Sequence, residues 1–462
     1  MSRLIRRSAK ADNGTVKCMA LSALLGDKVA VPLSGTYNAS LASYFAPQQS
    51  AASPLCIISP ETTDDVSAAI RTITASKDGC HFALRSGGHS TVVGASNIDA
   101  GVTFDLRHLD SIQLSPDRHS VRVGAGAPWG AAFAYLVGVG GLAVGGGISY
   151  LGPRHGWTCD TVVNFEVVTA NGSVVNANRR ENPDLRWALC GGGNSFGVVT
   201  RVDLQAFAQE GGQLWGGVAY HNISNAEKEI SALADFSKPE TYDGYSSLIA
   251  TFAYAGGAST IVNSMVYTKP EKNPAAFRAL SEIPSSYDRG WLTAIIVGMN
   301  QQSMGHAHNR AHGRSPSGGC AGVEREHRLH RGHRGRNLGP CNGPAPPGFY
   351  ARHAAENALG LDGRRSKALM VILFSVTWRS PGEDGKVDRA LKAWVESTAR
   401  DVGALGALDP YLYLNYAAAW QQNPISSYGK DSIQRLARIQ RDYDPQGVFT
   451  KLSPGGVQTT CR

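Results

Sequence analysis

The chain has 462 residues, 42% hydrophobic and 18% charged. That is the composition of a globular protein, not a disordered or fibrous one, and the length predicts two domains. Net charge is +8, but the stretch from His306 to Arg336 holds seven Arg against two Glu, which is +5 of the +8 and leaves +3 for the rest. A general nucleic-acid-binding surface is therefore not expected.

The first residues, "MSRLIRRSAKADNG", are basic but have no apolar core behind them, so no signal peptide is visible. Sequons at Asn13, Asn38, Asn171 and Asn222 lean toward the secretory pathway. Among eight cysteines there is no C-x-x-C pair, which argues against a zinc ribbon or thioredoxin-type site, and no metal site is expected. Cys18 and Cys56 flank the first segment and are expected to pair if the chain matures in an oxidising compartment. "SPETTDDVSAAIRTITASK" predicts a helix capped at Thr62 or Thr63, with Val66, Ile70 and Ile73 on one face. "HFALRS" and "VTFDL" read as strands.

Between them stands "LRSGGHS". Two glycines allow a bend whose successive N–H groups suit a pyrophosphate, Arg85 adds positive charge, and His89 sits beside the turn. Taken alone, this stretch favours a plain turn with a satisfied histidine. "IQLSPDRHSVRVGAG" predicts a hairpin turned at Pro116-Asp117, and "PWGAAFAYLV" a helix with Pro128 at its first position. "TVVNFEVVTANGSVVNA" predicts a hairpin turned at Asn171-Gly172. "NPDLRWAL" reads as a short helix capped by Asn182, and "FGVVTRVDLQAF" as a strand. From about Gln213, four strand-like runs alternate with helical stretches, which suits an antiparallel sheet with helices on one face. The end reads as a short strand, "YLYLNYAAAW", then a helix. No apolar run approaches membrane-spanning length.

Five stretches in order carry a resemblance: "ALRSGGHS", "GVGGLAVGGGISYLGPRHGWTCDTVVNFEVVTANGSVVNA", "ENPDLRWALCGGGNSFGVVTRVDL", "YLYLNYA" and "YDPQGVF". Residues 51–207 resemble the FAD-binding domain of the vanillyl-alcohol oxidase superfamily, the PCMH type. The whole chain is similar to the berberine-bridge-enzyme-like group of fungal FAD-linked oxidoreductases. The resemblance implies an α+β, two-domain PCMH-type FAD-binding fold with an antiparallel-sheet substrate domain. Residues 1–207 and 408–462 would form the FAD-binding domain, and 208–407 the substrate domain.

It also implies FAD bound covalently through the 8α-methyl carbon to His89. Arg85, Ser86, Gly87, Gly88 and Ser90 would hold the pyrophosphate. The glycines of "GGGISY", Gly146 and Gly147 among them, and the run "HGWTCD" to Asp160 would line the flavin and its ribityl chain, and the backbone of Val199 would meet the adenine. Tyr416 would take the substrate proton, with Tyr413 and Asn415 facing the flavin from the other side of the strand. Read without the resemblance, the same tyrosines equally suit an aromatic core strand. The implied partners are a small-molecule substrate and dioxygen, with no nucleic acid, no membrane and a monomeric chain.

Two departures stand out. "AAFAYLV" runs straight into "GVGG", where the family has a further strand and, in bicovalent members, a cysteine link to the flavin. A single covalent link at most is therefore expected. Residues 306–352, with six His and seven Arg in the first part and almost no apolar periodicity, interrupt the substrate domain. They read as disordered or aberrant sequence. The alternative to an oxidase is a non-catalytic remnant of the family with impaired flavin binding.

Overall fold

The structure is a computed structural model and describes residues 2–75, 79–129, 139–209, 212–288, 292–295, 337–364, 367–378, 380–421 and 423–455. Strands β1 (Val29–Ala30), β2 (Cys56–Ile58), β3 (Phe82–Arg85) and β4 (Val102–Asp105) form a first sheet in the order β1-β2-β4-β3. β2 and β3 both run parallel to β4. These strands are short apolar runs because both faces are covered; "CII", which had no strand assigned to it, is buried throughout. Helix Thr63–Thr74 links β2 to β3, and Thr62 closes a capping box with Asp65. Its buried face, Val66, Ala69, Ile70 and Ile73, packs between Phe82 and Phe104 of this sheet and Val168 and Val198 of the next. Each of the larger side chains stabilises the fold by about 1.5–3 kcal/mol.

The second sheet holds β5 (Ile112–Leu114), β6 (Ser120–Gly124), β7 (Val162–Val168), β8 (Val174–Asn178) and β9 (Val198–Gln205), antiparallel in the order β5-β6-β9-β7-β8. Both expected hairpins are present, with Arg118 (φ 61°) and Gly172 (φ 80°) taking the left-handed position in their turns. One expectation is corrected. Asn182 begins helix Pro183–Leu189 but its side chain does not cap it. Its amide donates to Asn176 O (2.7 Å), and its Oδ1 accepts from the Tyr443 hydroxyl (3.0 Å), joining the hairpin to the C-terminal helix. The helix expected after Pro128 falls mostly on 130–138, outside the described residues.

The third sheet is antiparallel, as expected. β10 (Gln213–Asn222), β11 (Ser246–Ala255), β12 (Ala258–Tyr267), β13 (Ser285–Asp288), β15 (Asn337–Ala345) and β16 (Leu369–Thr377) lie in the order β13-β10-β12-β11-β15-β16, and β14 (Leu292–Ile295) also pairs with β10. Helix Ala226–Phe236 packs Ala232 and Leu233 against Trp215, Leu248 and Met265.

Of the stretch 306–352, residues 306–336 lie outside the described residues. The remainder differs from the expectation of disorder: β15 sits between β11 and β16 although Pro340 and Pro344 can donate no hydrogen bond. Its pairing with β11 is interrupted accordingly, registering at Leu338, Cys341 and Asn342, and the Asn342 side chain donates to Ala250 O at 3.2 Å. Phe349 and Tyr350 then pack into the core beneath the second sheet, with Leu359 and Leu361.

Helix Lys430–Tyr443 returns Leu436 and Ile439 to that same core. In "YDPQGVF", Asp444 accepts from the N–H groups of Val448 (2.7 Å) and Phe449 (2.9 Å), which starts a last helical turn. Phe449 meets Phe82 edge-on at 5.9 Å, so the chain end closes on the first sheet.

At the other end, Cys18 of helix Ser2–Leu25 is bonded to Cys56 of β2, with Cα atoms 5.9 Å apart. The bond closes a loop of 38 residues. Replacing both by serine is expected to lower the unfolding free energy by about 2–4 kcal/mol in urea titration under oxidising conditions. Identical transitions for parent and variant would show that the bond does not form.

Candidate functional site

The expected site residues fall into two groups joined through one carbonyl. The first is the loop that follows β3. Arg85 and Asp105 end neighbouring parallel strands in register. Here the sequence reading is corrected, because Arg85 does not face the concavity of the loop. Its side chain is fully buried, 3.5 Å from Asp105. Its guanidinium donates to Ser40 O (2.9 Å) and Ser43 Oγ (2.8 Å) and lies 3.7 Å from the centre of the Tyr44 ring. Burial lowers the Arg85 pKa. Burial pushes the Asp105 carboxyl up, but the hydrogen bond from Arg107 and the charge of Arg85 outweigh it and hold its pKa below the ordinary value. Arg85 is thus a buried brace.

The loop above it keeps the features of an anion cradle. Gly88 has φ 71°, and a Cβ there would lie 2.9 Å from Arg85 Nε and 3.0 Å from Tyr44 Cδ1, so the position is closed to a side chain on both counts. Among the described residues, the backbone N–H groups of Gly87, Gly88 and Ser90 donate to no protein acceptor. Unengaged backbone donors beside a left-handed glycine are what a pyrophosphate can take up, and they fit FAD. Ser90 Oγ accepts from Val92 N–H (3.1 Å), and Ser86 Oγ donates to Ala125 O (2.6 Å). His89 stacks on Phe45, ring centres 4.2 Å apart and planes 14° from parallel.

Ala125 O also accepts from Gly140 N–H (3.2 Å), and this brings the second glycine stretch to the loop. Ala125 N–H donates to Thr200 O (3.0 Å), which puts Val199 one residue from the same junction. In that stretch, Gly146 O and Gly147 O accept from the N–H groups of Cys159 (2.9 Å) and Thr158 (2.8 Å), locking "HGWTCD" onto the glycine turn. Val144 O accepts from both Gly191 N–H and Gly193 N–H, which accounts for the third glycine burst. Asp160 accepts from Trp157 N–H (2.8 Å) and from the side-chain amide of Asn357 (2.8 Å). Burial raises its pKa to about 6 against those hydrogen bonds. Asp160 also lines a cavity of about 700 Å³ with His119, Asn178, Arg179, Arg186 and Gln205. His155 stacks on Phe207 at 3.6 Å, and burial together with the charge of Arg154 lowers its pKa to about 4.

The C-terminal tyrosines meet the turn at Gly147. Residues 411–416 are not a strand, which corrects the expectation: Leu414–Tyr416 form a single 3-10 turn. The Tyr413 hydroxyl accepts from the N–H groups of Gly147 (3.1 Å) and Ile148 (3.1 Å) and from Asn415 Nδ2 (3.0 Å). Asn415 Nδ2 donates as well to Leu142 O (3.1 Å). A Cβ on Gly145 would lie 2.0 Å from Asn415 Oδ1, so the glycine is required by this contact. Tyr413 is 6% exposed and Tyr416 40%, and their rings meet edge-on at 4.8 Å. Burial raises the pKa of both phenols.

The structure therefore gathers Ser86, Val199, Gly146, Gly147, Asp160, Tyr413, Asn415 and Tyr416 around the Ala125 and Gly147 junctions, while Arg85 serves from beneath. The sequence reading missed Tyr44, Phe45 and Asn357. All three act through contacts to remote segments that no local motif encodes.

Comparison with known proteins agrees with this fold. The FAD binding domain family model matches residues 54–178. The FAD-dependent monooxygenase sdcF of Emericella nidulans is 31% identical, over 96% of this chain and 98% of its own. Oligopeptidase PhomG' of Diaporthe leptostromiformis is 38% identical over 95% of this chain, which spans 37% of that protein's length. Among solved structures, BBE-like 1 of Physcomitrella patens superposes with a TM-score of 0.73 at 18% identity, over 96% of this chain and all of that one.

The inward turn of Arg85 is open to test in flavin-free protein. Arg85→Met removes one cation from buried Asp105 and is expected to cost about 3 kcal/mol of stability. A variant with parental stability and weakened FAD binding would return Arg85 to the role of a pyrophosphate ligand.

Proposed function

The chain belongs to the family of FAD-linked oxidoreductases that holds these relatives, the berberine-bridge-like, PCMH-type group, and from that membership we propose that it is an FAD-dependent oxidase. It takes a hydride from a small-molecule substrate, an alcohol, a sugar or a secondary metabolite, and passes the electrons to dioxygen as hydrogen peroxide. FAD, when bound, supplies the hydride acceptor. The observation that supports this reading best is the row of open N–H groups at Gly87, Gly88 and Ser90 beside His89. They would hold the pyrophosphate, and His89 would carry the flavin as its one covalent link. The protein works as a monomer, on neither nucleic acid nor membrane.

Of the two tyrosines, Tyr416 is the proposed proton acceptor. It is 40% exposed and open to a substrate, whereas the Tyr413 oxygen is already engaged by three donors. Loss of a substrate hydroxyl proton relieves the positive charge that develops at carbon as hydride leaves, a contribution of about 10²–10⁴ in rate. Tyr413 and Asn415 hold the Gly147 turn in place.

The first test is colour. Purified protein is expected to show a flavin absorption band that survives acid precipitation, and His89→Ala to retain only dissociable flavin. Unchanged covalent flavin in that variant would refute the assignment, and a colourless parent would make the chain a non-catalytic remnant. The relatives' name favours a second reading, monooxygenase. An oxygen atom from labelled dioxygen in the product would establish it, and peroxide with unlabelled product the oxidase.

The second test concerns Tyr416. Its pKa is raised by burial, so the phenol is protonated at neutral pH and gains basic character only as pH rises toward and beyond 10. Anaerobic flavin reduction is expected to climb with pH in the parent. In Tyr416→Phe it is expected to be flat with pH, and about 10²–10⁴ slower than the parent at the alkaline end, at normal flavin content. Parental reduction rates in that variant would place the base elsewhere.

A further inference from the structure

The N-terminal segment at Ser43–Phe45 grips the glycine loop from two sides. Tyr44 turns inward, with its ring against the Arg85 guanidinium and its hydroxyl donating to Ser96 O (2.7 Å). Phe45, the next residue, turns outward onto His89. Between them the Phe45 N–H donates to Gly88 O (3.4 Å), which pins the stacked pair to the loop backbone. Further along, the side chain of Gln49 reaches Val92 O, and the side-chain amide of Asn97 donates to Gln49 O (2.7 Å). The loop is therefore wrapped by a segment that contributes no residue to its own strands.

Near-parallel stacking has a specific chemical consequence for an imidazole. A lone pair on a ring nitrogen lies in the ring plane, so fixing that plane fixes the direction in which the nitrogen forms a bond. We propose that Phe45 is a positioning residue for covalent flavin attachment, holding the His89 ring in the plane from which its nitrogen reaches the 8α-carbon. This rests on the reading of His89 as the flavin-bearing residue. In that step a C–N bond forms, one proton leaves the 8α-carbon and one leaves the imidazole. The two electrons released stay on the flavin until dioxygen takes them up, with two protons, as hydrogen peroxide. An imidazole free to rotate spends little time in the reactive alignment, and such losses of alignment slow a reaction by about 10- to 100-fold. Phe45 is 37% exposed, so a structural role in the core is small.

The test uses the full chain with FAD and compares Phe45→Leu, which keeps apolar bulk without a ring plane, with Phe45→Tyr, which keeps the plane. The readouts are the rate and final extent of acid-stable flavin attachment, the amount of dissociable FAD bound before attachment, and the melting temperature. Phe45→Leu is expected to bind FAD and melt like the parent but to attach it at least about tenfold more slowly. Phe45→Tyr is expected to restore the parental rate. Attachment at the parental rate in Phe45→Leu overturns the proposal, and so does loss of FAD binding or of melting temperature in that variant, because the ring would then serve the fold. A parent that attaches no flavin, or a His89→Ala variant that still does, overturns instead the reading of His89 on which the proposal stands.

Discussion

A buried ion pair under an open loop sets the geometry of this site. Arg85 and Asp105 are both almost entirely removed from water, at 0% and 1% exposure. Isolated charges in such a place cost several kcal/mol each, so the pair depends on partners for its remaining donors and acceptors. Ser40, Ser43, Tyr44 and Arg107 supply most of them, leaving Arg85 Nε without an acceptor, and they come from the N-terminal segment and from the turn after β4. The pair also sits where β3 and β4 end in register. The first residue of the glycine loop therefore starts from a fixed point, and the loop inherits its direction from a contact buried beneath it.

The same dependence on remote segments recurs at each further step. Ala125 O gathers Ser86 from the loop and Gly140 from the second glycine stretch. The turn at Gly147 is closed from the far end of the chain, with Tyr413 some 266 positions away in sequence. Asn357, from the segment after β15, reaches Asp160. Phe449 seals the first sheet against Phe82. A site assembled from pieces so far apart orders only when the whole chain has folded, because each contact must offset the closure entropy of a long loop.

This explains which parts of the molecule were readable from the sequence. Local chemistry was legible: Thr62 caps its helix through Asp65, and Asn171-Gly172 turns its hairpin, because both depend on neighbours within a few residues. The left-handed bend at Gly88 was legible for the same reason. The direction of Arg85 was not, since a charged residue beside a phosphate-type turn satisfies the motif whether it faces the ligand or a buried carboxylate. Asn182 was misread because its amide has better partners in Asn176 and Tyr443 than in its own helix. β15 was illegible on principle: Pro340 and Pro344 argue against a central strand, and the sheet accepts them by interrupting the ladder to β11 and using the Asn342 side chain instead.

The tyrosine segment shows how a change of local period alters a chemical assignment. In a strand, residues three apart lie on opposite faces, which would set Tyr413 against Tyr416 across the backbone. The segment instead closes a 3-10 turn, in which residues three apart eclipse. Both rings then fall on one side, in edge-on contact at 4.8 Å. What tips the segment into the turn is the demand of the glycine stretch beneath it. The N–H groups of Gly147 and Ile148 both point at one oxygen, and the Tyr413 hydroxyl meets them. Asn415 adds a third donor to that oxygen and ties the turn to Leu142. With Tyr413 committed inward, the outer tyrosine is left over the turn with 40% of its surface exposed. The division of labour between two identical side chains thus follows from the backbone donors of a glycine turn, not from any property of the tyrosines themselves.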